Sequence, residues 1–139
     1  MITVLTAVLA ILFGAPPQTS GDPYAVGQVW EYRTRPQEPQ SLLVIRHIED
    51  SAAMGRIYHV SVIGIRTDAK GKPTDLAHTP VSRQTLDASV TRLSDRRPES
   101  MPDHRPGIAD WRAARGGVYT ISIAEIIELI DQQLSGVAR

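Results

Sequence analysis

Two histidines in neighbouring β-branched runs, His47 in SLLVIRHIE and His59 in RIYHVSVIGIRT, are the residues whose type and spacing suggest chemistry. A hairpin turning about Ala53 sets Ile48 across from Tyr58, Arg46 across from Val60 and Val44 across from Val62, so His47 lies directly opposite His59. Two imidazoles on adjacent strands can bind a divalent metal, with Glu31 or Glu49 as a carboxylate ligand, and such a face would suit a small metal-dependent hydrolase. The pair alone is too few: a catalytic zinc site usually takes about three protein ligands and a structural one about four. The sequence therefore assigns no metal and no cofactor. A milder reading is a pH-sensitive pair whose imidazolium charges repel below about pH 6.

Other catalytic patterns are missing. There is no cysteine, no G-x-S-x-G elbow, no H-E-x-x-H helix and no glycine-rich phosphate loop. Asp103, His104 and Arg105 adjoin in PDHRPG, but a charged trio in a proline-bounded loop reads as a solvated connector. Glu125 and Glu128 look like a paired carboxylate site, yet a helix cap and a solvent face account for both. No catalytic residue is assigned, and a non-enzymatic protein is favoured.

The elements that must position the histidines read as strands first and helices afterwards. VGQVWEYRT (residues 26–34), SLLVIRHIE (41–49) and RIYHVSVIGIRT (56–67) are β-branched and aromatic, which predicts a meander of consecutive hairpins. If the first hairpin turns about Glu38, Trp30 faces Arg46 and Tyr32 faces Val44. The period of two then puts Trp30, Tyr32, Leu42, Val44, Ile48, Tyr58, Val60 and Val62 on a core face. Glu31, Arg33, Leu43, Ile45, His47, Glu49, Ile57, His59, Ser61 and Ile63 fall on the other. DAKGKPTD (68–75) reads as a polar loop. Leu86, Val90 and Leu93 mark a helical face beginning at Ser82, a second helix over 107–115 carries Trp111, and VYTIS (118–122) reads as a fourth strand. Ser122 and Glu125 have the spacing of a capping box, with Ile123, Ile126, Ile127, Ile130 and Leu134 on one stripe and Glu125, Glu128, Asp131 and Gln132 facing away. The expectation is an α+β domain: an antiparallel meander sheet of three to four strands with two to three helices packed on one face.

The chain has 139 residues, one domain's worth, and its Lys plus Arg count of 15 equals its Asp plus Glu count, so bulk charge gives no support to a nucleic-acid or anionic-membrane partner. Thirteen of the basic residues are Arg and there is no Asn, a bias that suggests a GC-rich bacterial gene. ITVLTAVLAILF (2–13) is uncharged and too short to span a bilayer, which takes about 20 residues. It suits the centre of a signal peptide, with cleavage after Gly21, although no Lys or Arg precedes Arg33. A retained anchor or a buried strand is the alternative. Residues 1–21 are thus read as a signal peptide, and 22–139 as one domain of a periplasmic or secreted protein that meets no membrane once cleaved.

GQVWEYRTRP, LLVIRHIE, IYHVSVIGIR, HTPVSRQTLDASVTRL and VYTISIAEIIELI resemble the successive blocks of small uncharacterised bacterial proteins that share a V-W-x-Y-x-T-R-P start. The likeness runs from about Val26 to Leu134 and implies a single domain, with no activity attached. Inside its blocks, Arg33, Arg35, His78 and Thr79 are polar residues that a core does not explain. The candidate partner-binding residues are therefore Arg33, Arg35, His47, His59 and His78. The function that suits them is a small extracytoplasmic binding or inhibitor module whose partner is another protein of the cell envelope.

Overall fold

The computed structural model describes residues 21–66 and 73–137. The apolar run 2–13 lies outside these, as do Thr67 and residues 68–72 of the polar loop. The sheet has five strands, β1 (Val29–Tyr32), β2 (Leu42–Ser51), β3 (Gly55–Arg66), β4 (Pro73–Ser82) and β5 (Val90–Leu93), in the order β4-β3-β2-β1-β5 with every neighbour antiparallel. Three helices accompany it among the described residues: α1 (Arg83–Ser89), α2 (Arg105–Ala113) and α3 (Ile123–Val137). The α+β class and the β1-β2-β3 meander follow the sequence reading, and the strand count exceeds it.

The additional strands have local causes. β4 contains Pro73 and Pro80, which a central strand would not tolerate, but it is the sheet's edge, where an N–H on the open side is dispensable. The apolar spacing from Ser82 makes only a short helix. Ser82 caps it through its side chain, which accepts from the Thr85 N–H, and at Val90 the backbone turns extended into β5. Tyr119, expected within a fourth strand, forms one isolated parallel bridge to Val81.

The second hairpin has the expected register: Ile48 faces Tyr58, His47 faces His59, and Gly55 takes a positive φ of 74° in the turn. A bulge between Ile45 and His47 then shifts the pairing by one residue, so Ile45 faces Val60 and Leu43 faces Val62. In the first hairpin Trp30 faces Leu43, not Arg46. The core face accordingly holds Tyr32, Leu43, Ile45, Tyr58, Val60 and Val62, covered by Leu86 of α1 and by Ile123, Ile126 and Ile127 of α3. Leu42 and Val44 move to the opposite face, where they pack with Val29 and Ile63. That face is covered too. The Trp111 ring of α2 packs edge-on against His59, so the helices lie on both sides of the sheet and not on one.

α3 begins at the expected residue, but only half of the capping box forms, since the Glu125 carboxylate takes the Ser122 hydroxyl and not its backbone N–H. The Glu125 N–H donates to Ser122 Oγ at 3.3 Å, and the Ser122 hydroxyl donates to the Glu125 carboxylate at 2.9 Å. Its far side departs from expectation. Asp131, assigned to solvent by the helical stripe, is 3% exposed because, with Glu128, it grips Arg35. Arg35 donates to Glu38 through two nitrogens at 3.0 and 2.8 Å, to Glu128 at 2.8 Å, to Asp131 at 3.0 Å and to the Arg66 carbonyl at 2.8 Å. This staple ties the β1–β2 loop to β3 and α3. The surrounding carboxylates, Glu38 first among them, raise the Arg35 pKa further above its ordinary value.

Candidate functional site

All four histidines of the chain come together between α2 and the middle of β2, β3 and β4. The Arg46 bulge helps to bring this about. Arg46 donates to Ser61 Oγ and to the Pro102 carbonyl, both at 2.9 Å, and so hooks the connector before α2 onto the sheet and carries His104 to the cluster. Burial lowers the Arg46 pKa. α2 can approach closely because position 107 is glycine: a Cβ there would stand 2.5 Å from the Cβ of His78.

His59 is the hub. It is 0% exposed, its Nε2 lies 2.7 Å from Glu49 Oε1, and its Nδ1 lies 2.8 Å from His78 Nε2. The Glu49 oxygen also accepts from Arg112 Nη2 at 3.0 Å and lies 4.0 Å from His47 Nε2. These contacts define the neutral tautomers. Glu49 can only accept, so His59 carries its proton on Nε2, its Nδ1 accepts, and His78 must donate from Nε2. The result is a directional chain from His78 through His59 to Glu49, which Arg112 also donates to from the other side.

Burial pushes His59, His78 and His104 towards the neutral form. His59 is lowered by desolvation, with Glu49 opposing. His78 is lowered to about 4 by desolvation and by the neighbouring His59 and His104. His104 is lowered by desolvation and by Arg46, and its buried Nδ1 has no hydrogen-bond partner among the described residues. For Glu49 desolvation works upward, but the hydrogen bonds from His59 and Arg112 outweigh it and hold the carboxyl below its usual range.

Beside this chain a cleft of about 250 Å³ opens between β2 and α2, lined by His47, His104, Arg105, Ile108, Ala109 and Arg112. Every polar side chain in the lining is basic. Arg105 is exposed and pairs with Asp103 at 2.9 Å, which brings the Asp103 pKa down to about 2. The cleft can therefore receive an acidic group against two guanidinium groups and two imidazoles. Its lining contains no hydroxyl, thiol or carboxylate to act as a nucleophile.

Comparison with family models, with curated proteins and with solved structures gives no match. The chemistry of the site is therefore the guide to function.

Of the sequence candidates, the structure unites His47, His59 and His78. It places Arg33 elsewhere, exposed and donating to the Ala88 carbonyl of α1 at 3.1 Å. Arg35 is no surface residue, being buried in the staple. Thr79 is buried on the core face opposite Val60. His104 belongs to the cluster and not to a purely solvated connector, and Trp111 and Arg112 were not singled out. Their signal was the i, i+4 spacing of Ile108 and Arg112 on a short helix: its buried residue and its sheet-facing cation share one side. Among the described residues no group of three or more His, Asp or Glu side chains is arranged to hold a metal ion.

Proposed function

We propose that the protein is a non-enzymatic binding module acting outside the cytoplasm, and that its cleft between β2 and α2 receives an acidic group presented by another protein of the cell envelope. The observation that carries this reading is the wholly basic polar lining of the cleft beside a histidine hub with no access to substrate. The alternative, a metal-dependent hydrolase using His47 and His59, has less support. Both ring nitrogens of His59 are engaged, and Arg112 occupies the carboxylate that a cation would need. Export is supported by the apolar run 2–13 and by the contacts of Asp22. This residue accepts from the Tyr58 hydroxyl at 2.6 Å and from Arg56 at 3.1 Å, so a chain starting at Asp22 keeps these ties. No helix among the described residues is long and apolar enough to cross a membrane.

The test has two arms. Intact mass of protein recovered from the bacterial periplasm should correspond to a chain beginning at Asp22, and full-length protein there would contradict export with cleavage. In the second arm, isotope-labelled domain is titrated with a Glu-rich octapeptide and with its Gln counterpart. Amide shifts should gather at His47 and over residues 104–112 with the acidic peptide only, and Arg105→Ala should weaken binding severalfold. Equal response to both peptides would remove the cleft as an acidic-group site.

A further inference from the structure

We infer that the histidine cluster is an acid-triggered latch: uptake of a second proton by the Glu49–His59–His78 chain forces α2 off the sheet and dismantles the cleft. The latch rests on how α2 packs and not on the identity of any ligand.

Protons and donors can be counted along the chain. A first proton is accommodated. His59 becomes an imidazolium facing the Glu49 carboxylate, its Nδ1–H now donates, and His78 accepts on Nε2 by moving its own proton to Nδ1. A second proton has no such solution. With both rings cationic, two N–H groups confront each other across 2.8 Å, the hydrogen bond is lost, and the buried His59 faces a like charge on the half-buried His78. The surroundings do not relieve this. β2 presents Arg46, His47 and Glu49 to the pair, and the connector with α2 presents Asp103, His104, Arg105 and Arg112. The acids in that set are Glu49, which already answers the first proton and Arg112, and Asp103, which is held by Arg105.

α2 is the element that yields. Three of its contacts with the sheet fall in the cluster itself: Gly107 on His78, Trp111 on His59 and Arg112 on Glu49. α1 and α3 pack on the other face, against the apolar core. Since α2 and its N-cap His104 supply most of the cleft lining, the site and the helix are lost together. The direction of the pH effect follows from the depressed imidazoles. The stability that neutral His59, His78 and His104 contribute is complete above about pH 6.5 and is lost as the pH falls through their lowered pKa values, about 4 for His78.

Amide-exchange protection factors from pH 7.5 to 4.5, measured by NMR on the intact chain, test the latch. Protection over residues 105–113 should fall at least tenfold and reversibly while the central strands β2 and β3 keep theirs, and His78→Gln should move the loss to lower pH. The proposal is overturned if α2 stays protected to pH 4.5, if helix and sheet lose protection together, or if His78→Gln leaves the midpoint in place. Should that variant not fold, the imidazole resonances of the unmodified protein decide. Protonation of His78 and loss of α2 protection must share one midpoint, and two separate midpoints overturn the latch.

Discussion

Arg35→Ala lowers the urea midpoint more than any other single truncation of a polar side chain in this domain, with a loss of about 3 to 5 kcal/mol. The magnitude comes from what remains behind. Glu38 is 2% exposed and would keep the Arg66 N–H at 2.8 Å but lose both guanidinium contacts. A buried carboxylate deprived of its cation costs far more than the intact pair contributes. Arg35→Lys should recover only part of the loss. One ammonium is a point charge and cannot reach Glu38 bidentately while also meeting Glu128, Asp131 and the Arg66 carbonyl. Equilibrium urea unfolding at pH 7 is the measurement. A change below about 1 kcal/mol would mean that water or solvent cations replace the guanidinium at little cost.

Ile127→Ala should destabilise by about 2 to 4 kcal/mol, and Ile127→Val by about 0.5 to 1.5 kcal/mol. Ile127 is fully enclosed between α3 and the sheet, in the cluster that also holds Tyr58, Val60, Ile123 and Ile126. Truncation removes buried methylenes and leaves a cavity whose walls belong to the sheet, which cannot collapse onto it. The control lies on the same helix. Leu134 belongs to the same sequence stripe but is 46% exposed, so Leu134→Ala should stay within about 0.5 kcal/mol. Similar midpoints for the two variants would mean that α3 is not seated as described.

Periodicity carried the reading where the local pattern and the tertiary environment agree. The second hairpin, with His47 across from His59, was legible because a short turn sets the register within a few residues. The amphipathic α3 was legible for the same reason. The bulge at Arg46 was not. It involves one residue and is stabilised by contacts to Ser61 and Pro102, 15 and 56 residues away, which no window along the chain contains. That single step exchanged Leu42 and Val44 for Leu43 and Ile45 in the core. Asp131 failed differently. An acidic residue on the polar side of a stripe belongs in water unless a cation is brought to it, and that cation comes from the β1–β2 loop. Of the site, His47, His59, Glu49 and His78 were visible as residues. That His104 and Arg112 join them depends on where a proline-rich connector lands, and composition does not say.

The Arg35 staple is a crosslink without redox chemistry. It joins positions 96 residues apart, a span at which secreted domains commonly use a disulfide, in a chain that has no cysteine. A covalent bridge would also restrain the denatured chain and make folding wait on an oxidant. An ionic one exists only in the folded protein and leaves the denatured ensemble unrestrained. With no thiol to oxidise or reduce, the staple holds alike under reducing and oxidising conditions.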